Sequence, residues 1–169
     1  MELEEVSTKE IWDRCVVALN NIWEEPETGD TFDYKNEDFL LAIWNISTKF
    51  LPGLEVSVII DKDNNLFCSY GSPGYVDYSV PPEGMKIPIK CWIHTHPFGS
   101  AYWSSTDWNT IHIWKSIMEY AIVLGGDNQM HWYKIGKQEY CQYVPSPEPV
   151  DSSEHVGSGY TTDLEGEEE

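Results

Sequence analysis

Two histidines, a serine and an aspartate stand at spacings that could do metal chemistry: His94, His96, Ser104 and Asp107. They lie in the stretch Cys91-Trp-Ile-His94-Thr-His96-Pro97-Phe-Gly-Ser-Ala-Tyr-Trp-Ser104-Ser-Thr-Asp107. An apolar run ends in the histidines, a turn follows, and a helix is expected to begin near the carboxylate. Positions two apart on a strand leave the same face, so both imidazoles project together. Asp107 comes eleven residues after His96, at the head of an amphipathic run from Trp108 to Tyr120. Two neutral imidazoles and one carboxylate on rigid elements are the donor set of a catalytic zinc. They leave its fourth tetrahedral position open. Ser104, three residues before Asp107, is close enough to hydrogen-bond a reacting water or an oxyanion, and it also suits a helix cap. Asp107 would be favoured in the first turn of a helix whether or not it ligates.

The other histidines fit this chemistry less well. His112 would lie further along the same helix and point elsewhere, His131 sits mid-strand beside Trp132, and His155 lies near the C-terminal end. They are read as structural or peripheral. Four scattered cysteines, Cys15, Cys68, Cys91 and Cys141, form no Cys-x-x-Cys pair. They suggest neither a cysteine zinc site nor a disulfide framework, and Cys68 and Cys91, in apparent strands, are read as buried free thiols.

At 169 residues the chain fits a single domain with a real core, and 41% hydrophobic residues with eight tryptophans mark it as globular. A net charge of −19 with one arginine argues against nucleic acid as a partner. No run of about 18 apolar residues exists, so no membrane span is expected. The acidic start Met1-Glu-Leu-Glu-Glu is unlike a secretory signal, and a cytoplasmic location is the simplest expectation. A virion component would need no signal either.

Several elements must position the four residues. Apolar spacing predicts a helix over 7–23, with Ser7 and Glu10 as a capping box, and a second over 36–49. Leu54 to Ile60 is too apolar for an edge strand, and it returns through the turn Asp61–Asn65 to a strand over Leu66–Tyr70. A Gly/Pro/Tyr-rich loop, 71–85, leads to a strand over 87–93 that delivers the histidines. After a helix at 108–119, Ala121–Leu124 and Met130–Ile135 form a hairpin, and 139–144 adds a last strand. Residues 145–169 hold eight acids and no lysine or arginine, and they are expected to be a disordered tail.

The pattern His94-x-His96-x7-Ser104-x2-Asp107 resembles the JAMM (MPN+) signature of JAB-domain zinc metalloproteases. The resemblance covers roughly residues 37–136. It implies an α/β fold, a curved mixed sheet with flanking helices similar to the cytidine-deaminase-like arrangement. The divisions it suggests are an N-terminal helical extension over 1–35, a catalytic domain over 36–144 and the acidic tail. One Zn2+ would be held by His94, His96 and Asp107. The family's general base is a glutamate heading the strand after its first helix, and Glu55 occupies that place. Glu83, in the loop Pro81-Pro-Glu-Gly84, is the fallback. Family members often carry a glycine shortly after the glutamate, where this chain has Ser57 and Val58. The resemblance makes Ser104 the residue that hydrogen-bonds the water or oxyanion, with Ser105 its rival. The implied substrate is a protein or peptide cleaved at an amide after the C-terminus of a ubiquitin-like protein. The short connections around the motif suggest a compact prokaryotic or viral type. A phage-tail type endopeptidase acting on peptidoglycan peptides and a non-catalytic MPN-like interaction module are the alternatives. A DNA-associated RadC-like role conflicts with the charge.

Overall fold

Glu55–Ile60 is buried at all six positions, a pattern that requires a strand covered on both faces. The computed structural model, which describes residues 7–24, 33–71 and 83–146, shows how. The elements run α1 (Thr8–Glu24), α2 (Glu37–Asn45), β1 (Glu55–Ile60), β2 (Leu66–Gly71), β3 (Cys91–Thr95), α3 (Ser105–Trp114), β4 (Tyr120–Leu124), β5 (Asn128–Ile135) and β6 (Gln138–Pro145). Six strands form one mixed sheet in the order β2-β1-β3-β4-β5-β6. Among the described residues only β3 and β4 are strands paired in parallel, and α3 is the crossover between them. The chain is therefore a mixed α/β fold with helices flanking a six-stranded sheet.

Each face of the sheet has its own core. Helices α1 and α2 bring Leu19, Trp23, Phe39 and Ile43 onto Val56, Val58, Ile60 and Ile93. On the other face, Ile111, Trp114 and Met118 pack on Ile59, Trp92, Ala121 and Trp132. Strand alternation then sorts the polar residues. Glu55, Ser57 and Ile59 face the α3 side together with Trp92 and His94, while Val56 and Thr95 face the α1/α2 side.

Helix α1 starts as its sequence suggests. Glu10 N–H donates to Ser7 Oγ at 3.1 Å, and Ser7 N–H reaches Glu10 Oε1 at 3.4 Å. The helix is part of the α1/α2-side core, and Trp23 Nε1 donates to the carbonyl of Asn64 at 2.8 Å. Helix α2, capped by Asn36, stops at Asn45, short of the expected 49. Residues Ile46–Phe50 widen into a π-helical turn in which Leu51 N–H reaches back to Ile46 O at 2.8 Å. The widening carries Ser47 fully inside.

Strand β3 begins at Cys91, not at the expected 87, because Pro88 has no N–H for a ladder. Ile89 makes only an isolated bridge to Met118. Helix α3 starts at Ser105, three residues before the expected 108, because Ser104 caps it, and it ends at Trp114. Of the acidic tail, residues 147–169 lie outside the described residues, as does most of the loop expected at 71–85; Pro145 ends β6. Among the described residues no helix is long and apolar enough to cross a membrane.

The turn between β3 and α3 carries no regular structure of its own, so something must hold it. Asn128, buried at the head of β5, clasps Ala101 with both ends of its amide. Ala101 N–H donates to Oδ1 at 2.8 Å and Nδ2 donates to Ala101 O at 3.0 Å. Gly126 N–H donates to Gly99 O at 2.8 Å. A Cβ on Gly125 would lie 2.2 Å from Ala101 N, so only glycine allows this approach. Asn128→Ala strands two buried backbone groups, and it is expected to lower stability by about 2–4 kcal/mol in urea titration. A loss within about 0.5 kcal/mol would mean that the clasp does not hold the turn.

Candidate metal centre

The three donors expected from the sequence converge. Ligand atoms of His94, His96 and Asp107 all lie within 4.8 Å of one another, and all three residues are buried. His94 comes from the penultimate position of β3 and His96 from just past its end, where its N–H donates to Leu124 O at 2.8 Å. Asp107 comes from the first turn of α3.

His94 Nε2 stands 2.9 Å from Asp107 Oδ1, and His96 Nε2 stands 3.2 Å from Oδ2. Donors bound at about 2.0–2.1 Å to one tetrahedral ion lie roughly 3.3 Å apart, close to these separations. The His94 contact is not a well-directed hydrogen bond: its Nε2 is buried and, among the described residues, meets no partner in good geometry. Burying a polar nitrogen unpaired costs free energy that a bound cation would recover. The donor set of two imidazoles and a carboxylate fits zinc, with the fourth position open. The cluster is therefore capable of coordinating a metal ion.

Each ligand is aimed by its neighbours. The ring of Trp92 stacks on His94 with centroids 4.3 Å apart and planes 12° apart. Trp92 is pinned in turn, because its Nε1 donates to Ser57 Oγ at 2.9 Å on the facing strand. Ser57 thus orients the ring that orients His94. His96 packs edge-on to His94 and to Tyr102, at 5.3 and 4.7 Å.

Ser104 and Asp107 form a reciprocal capping box. Asp107 N–H donates to Ser104 Oγ and Ser104 N–H donates to Asp107 Oδ2, each at 3.0 Å. The box fixes the carboxylate while leaving Oδ1 directed toward His94. Burial alone would raise the Asp107 carboxyl. The close approach and charge of His94 and His96, with the Ser104 N–H, override burial and hold it well below the usual carboxylate range. As an acceptor in this box, Ser104 Oγ keeps its own proton available to a second partner.

Glu55 opens β1 on the same face as His94, and it is buried at 7% exposure. The β1–β3 register sets Ser57 opposite His94, and continuing it by two residues brings Glu55 level with His96. Its carboxylate is not one of the three clustered donors. Glu83 lies exposed in a turn and His112 lies exposed on α3, and neither belongs to the cluster. Trp103, beside Ser104, has a buried Nε1–H with no hydrogen-bond partner among the described residues, a feature that no spacing rule in the sequence signals.

His131 is fully engaged elsewhere. Tyr120 OH lies 2.6 Å from its Nδ1, and its Nε2 lies 2.8 Å from Gln129 Oε1. Burial first, then the charge of Lys35, pushes its pKa down to about 4 from 6.5. Folding thus favours the neutral ring. That contribution is complete above the unfolded pKa and is lost as pH falls from there through the folded one. The stability advantage of wild type over His131→Asn should shrink by about 3 kcal/mol between neutral pH and about pH 4. Urea titrations of both proteins at the two pH values measure it, and an unchanged difference would contradict the buried neutral ring.

Compared with known proteins, the chain matches no family model, and no curated protein and no solved structure shows significant similarity to it.

Proposed function

We propose that the chain is a zinc-dependent amide hydrolase of the JAMM (MPN+) kind, cleaving after the C-terminus of a ubiquitin-like protein. The observation that carries the reading is the buried cluster of His94, His96 and Asp107, in which His94 Nε2 makes no well-directed hydrogen bond among the described residues. The crossover β3–α3–β4, which supplies all three donors, supports the same reading.

His94, His96 and Asp107 would hold the ion. Zinc, when bound, supplies a Lewis acid that polarises the scissile carbonyl and brings the pKa of water down to about 7. Glu55 takes the proton of the attacking water and passes it to the leaving amine, the work of a positioned general acid–base. Ser104, whose oxygen is already occupied as the cap of α3, turns its hydroxyl proton to the oxyanion. Phe98 and Tyr102, at 71% and 58% exposure, stand in the turn beside His96 and wall the approach of an extended peptide.

The test is a cleavage panel of ubiquitin-like C-terminal fusions and cell-wall peptides, run with zinc and with a chelator. Zinc-dependent cleavage of a ubiquitin-like fusion supports the reading. Cleavage of the wall peptides alone moves the substrate to peptidoglycan. No cleavage by zinc-loaded protein leaves an interaction module as the better account.

A further inference from the structure

Between the two ligand histidines stands Thr95, whose side chain points away from the metal centre. It lies on the α1/α2 side of the sheet, fully buried, and so does Ser47 from the π-helical turn. Their hydroxyl oxygens are 2.8 Å apart. Val56 N–H donates to Thr95 Oγ1 at 3.0 Å, and Ser47 Oγ donates to Leu54 O at 2.5 Å. Since Ser47 spends its only proton on Leu54, Thr95 must donate to Ser47. The result is one directed chain: Val56 N–H to Thr95 O–H to Ser47 O–H to the carbonyl of Leu54.

The two ends of this chain are the peptide groups on either side of Glu55. The carbonyl of Leu54 belongs to the peptide bond entering Glu55, and the N–H of Val56 belongs to the one leaving it. Glu55 pairs with Gly71 of β2, but the β1–β3 ladder stops at the Ser57–His94 pair, so on the side of the metal ligands Glu55 lies just beyond the ladder. The relay extends the tie between β1 and β3 past the end of their ladder, to both peptide groups of Glu55. The hydroxyls are not explained by packing, because valine would fill the Thr95 site without burying a polar atom.

We infer that Thr95 and Ser47 are positioning residues: their hydroxyl relay fixes the backbone on both sides of Glu55 to the strand that carries His94 and His96. The relay lies behind the sheet and touches neither metal nor substrate, so it acts only through Glu55. Its value for turnover rests on the proposed role of Glu55. A base displaced by about 1 Å can lose on the order of 100-fold in rate.

The test compares wild type with Thr95→Val, which removes the hydroxyl, and Thr95→Ser, which keeps it. Amide hydrogen exchange at Val56, measured by NMR on the zinc-free proteins, reads the relay without any assay of activity. Val56 should exchange at least about tenfold faster in Thr95→Val, while Thr95→Ser stays near wild type and Ile122 in mid-sheet is unchanged. With zinc, Thr95→Val should keep its metal and lose at least about tenfold in kcat with KM unchanged, and Thr95→Ser should restore it. Ser47→Ala cuts the chain at its other end and should behave like Thr95→Val, which covers the case in which that variant does not fold. Unchanged Val56 exchange in Thr95→Val overturns the inference, and so does failure of Thr95→Ser to restore it. A wild type that binds no zinc defeats the reading of the metal centre instead, and the exchange comparison then still decides the relay.

Discussion

Glu55→Gln should lower kcat on any amide that the wild type cleaves by about 10²–10⁴-fold, with zinc content and fold unchanged. Glutamine has nearly the shape of glutamate, so the buried first position of β1 stays filled, but the amide cannot accept the proton that the reaction must move. Glu55 lies outside the cluster of donors, which is why metal binding should survive. A loss of about a thousandfold corresponds to about 4 kcal/mol of transition-state stabilisation, a large effect for so small a change. Single-turnover kinetics beside elemental analysis make the measurement. Full activity in the variant would remove Glu55 from the mechanism and leave the reaction without its base. Loss of zinc together with activity would place Glu55 among the metal's supports.

Asp107→Asn should separate two functions that one carboxylate performs. As the third residue of α3, Asp107 accepts the Ser104 N–H through Oδ2, and an asparagine oxygen can still do that. The helix start is therefore expected to survive, but the zinc-free protein should lose stability in urea titration at neutral pH, because the neutral amide gives up the contacts with His94 and His96 that hold the carboxyl low. As a ligand, Asp107 contributes the only negative charge of the cluster, and the neutral amide is a poor donor to zinc. Zinc affinity should fall at least about 100-fold, measured by competition with a chromogenic chelator. Wild type at zinc a hundredfold above its Kd gains about 2.7 kcal/mol, and the variant should lose most of that increment. Unchanged affinity would mean that Asp107 only caps the helix.

The ligands were legible in the sequence because their geometry is local. His94 and His96 differ by two, which strand alternation turns directly into a shared face. Asp107 belongs to a short Ser-x-x-Asp pattern that also starts a helix. The same pattern, with Ser104 as the cap, puts the helix start at Ser105, three residues before the amphipathic run that begins at Trp108. The alternation of strands and helices gave the order of elements and the interior place of β1, since its apolar run leaves no face for water. The π-helical turn was not legible. It follows from where the Ser47 hydroxyl finds partners, and those partners, Leu54 and Thr95, are known only once β1 and β3 lie side by side. The Asn128 clasp and the Trp92–Ser57 contact share this origin, being bonds between residues 27 and 35 positions apart. Strand β3 was placed four residues early because Ile87 to Ile93 is apolar enough for a strand, while the missing N–H of Pro88 matters only against a neighbouring strand.

The central claim is that His94, His96 and Asp107 hold one metal ion, and its most direct test is zinc stoichiometry. Elemental analysis of wild type after reconstitution and desalting, run beside His96→Ala, should find about one zinc per chain in the first and far less in the second. No zinc in a folded wild type, or equal zinc in both proteins, would contradict the account.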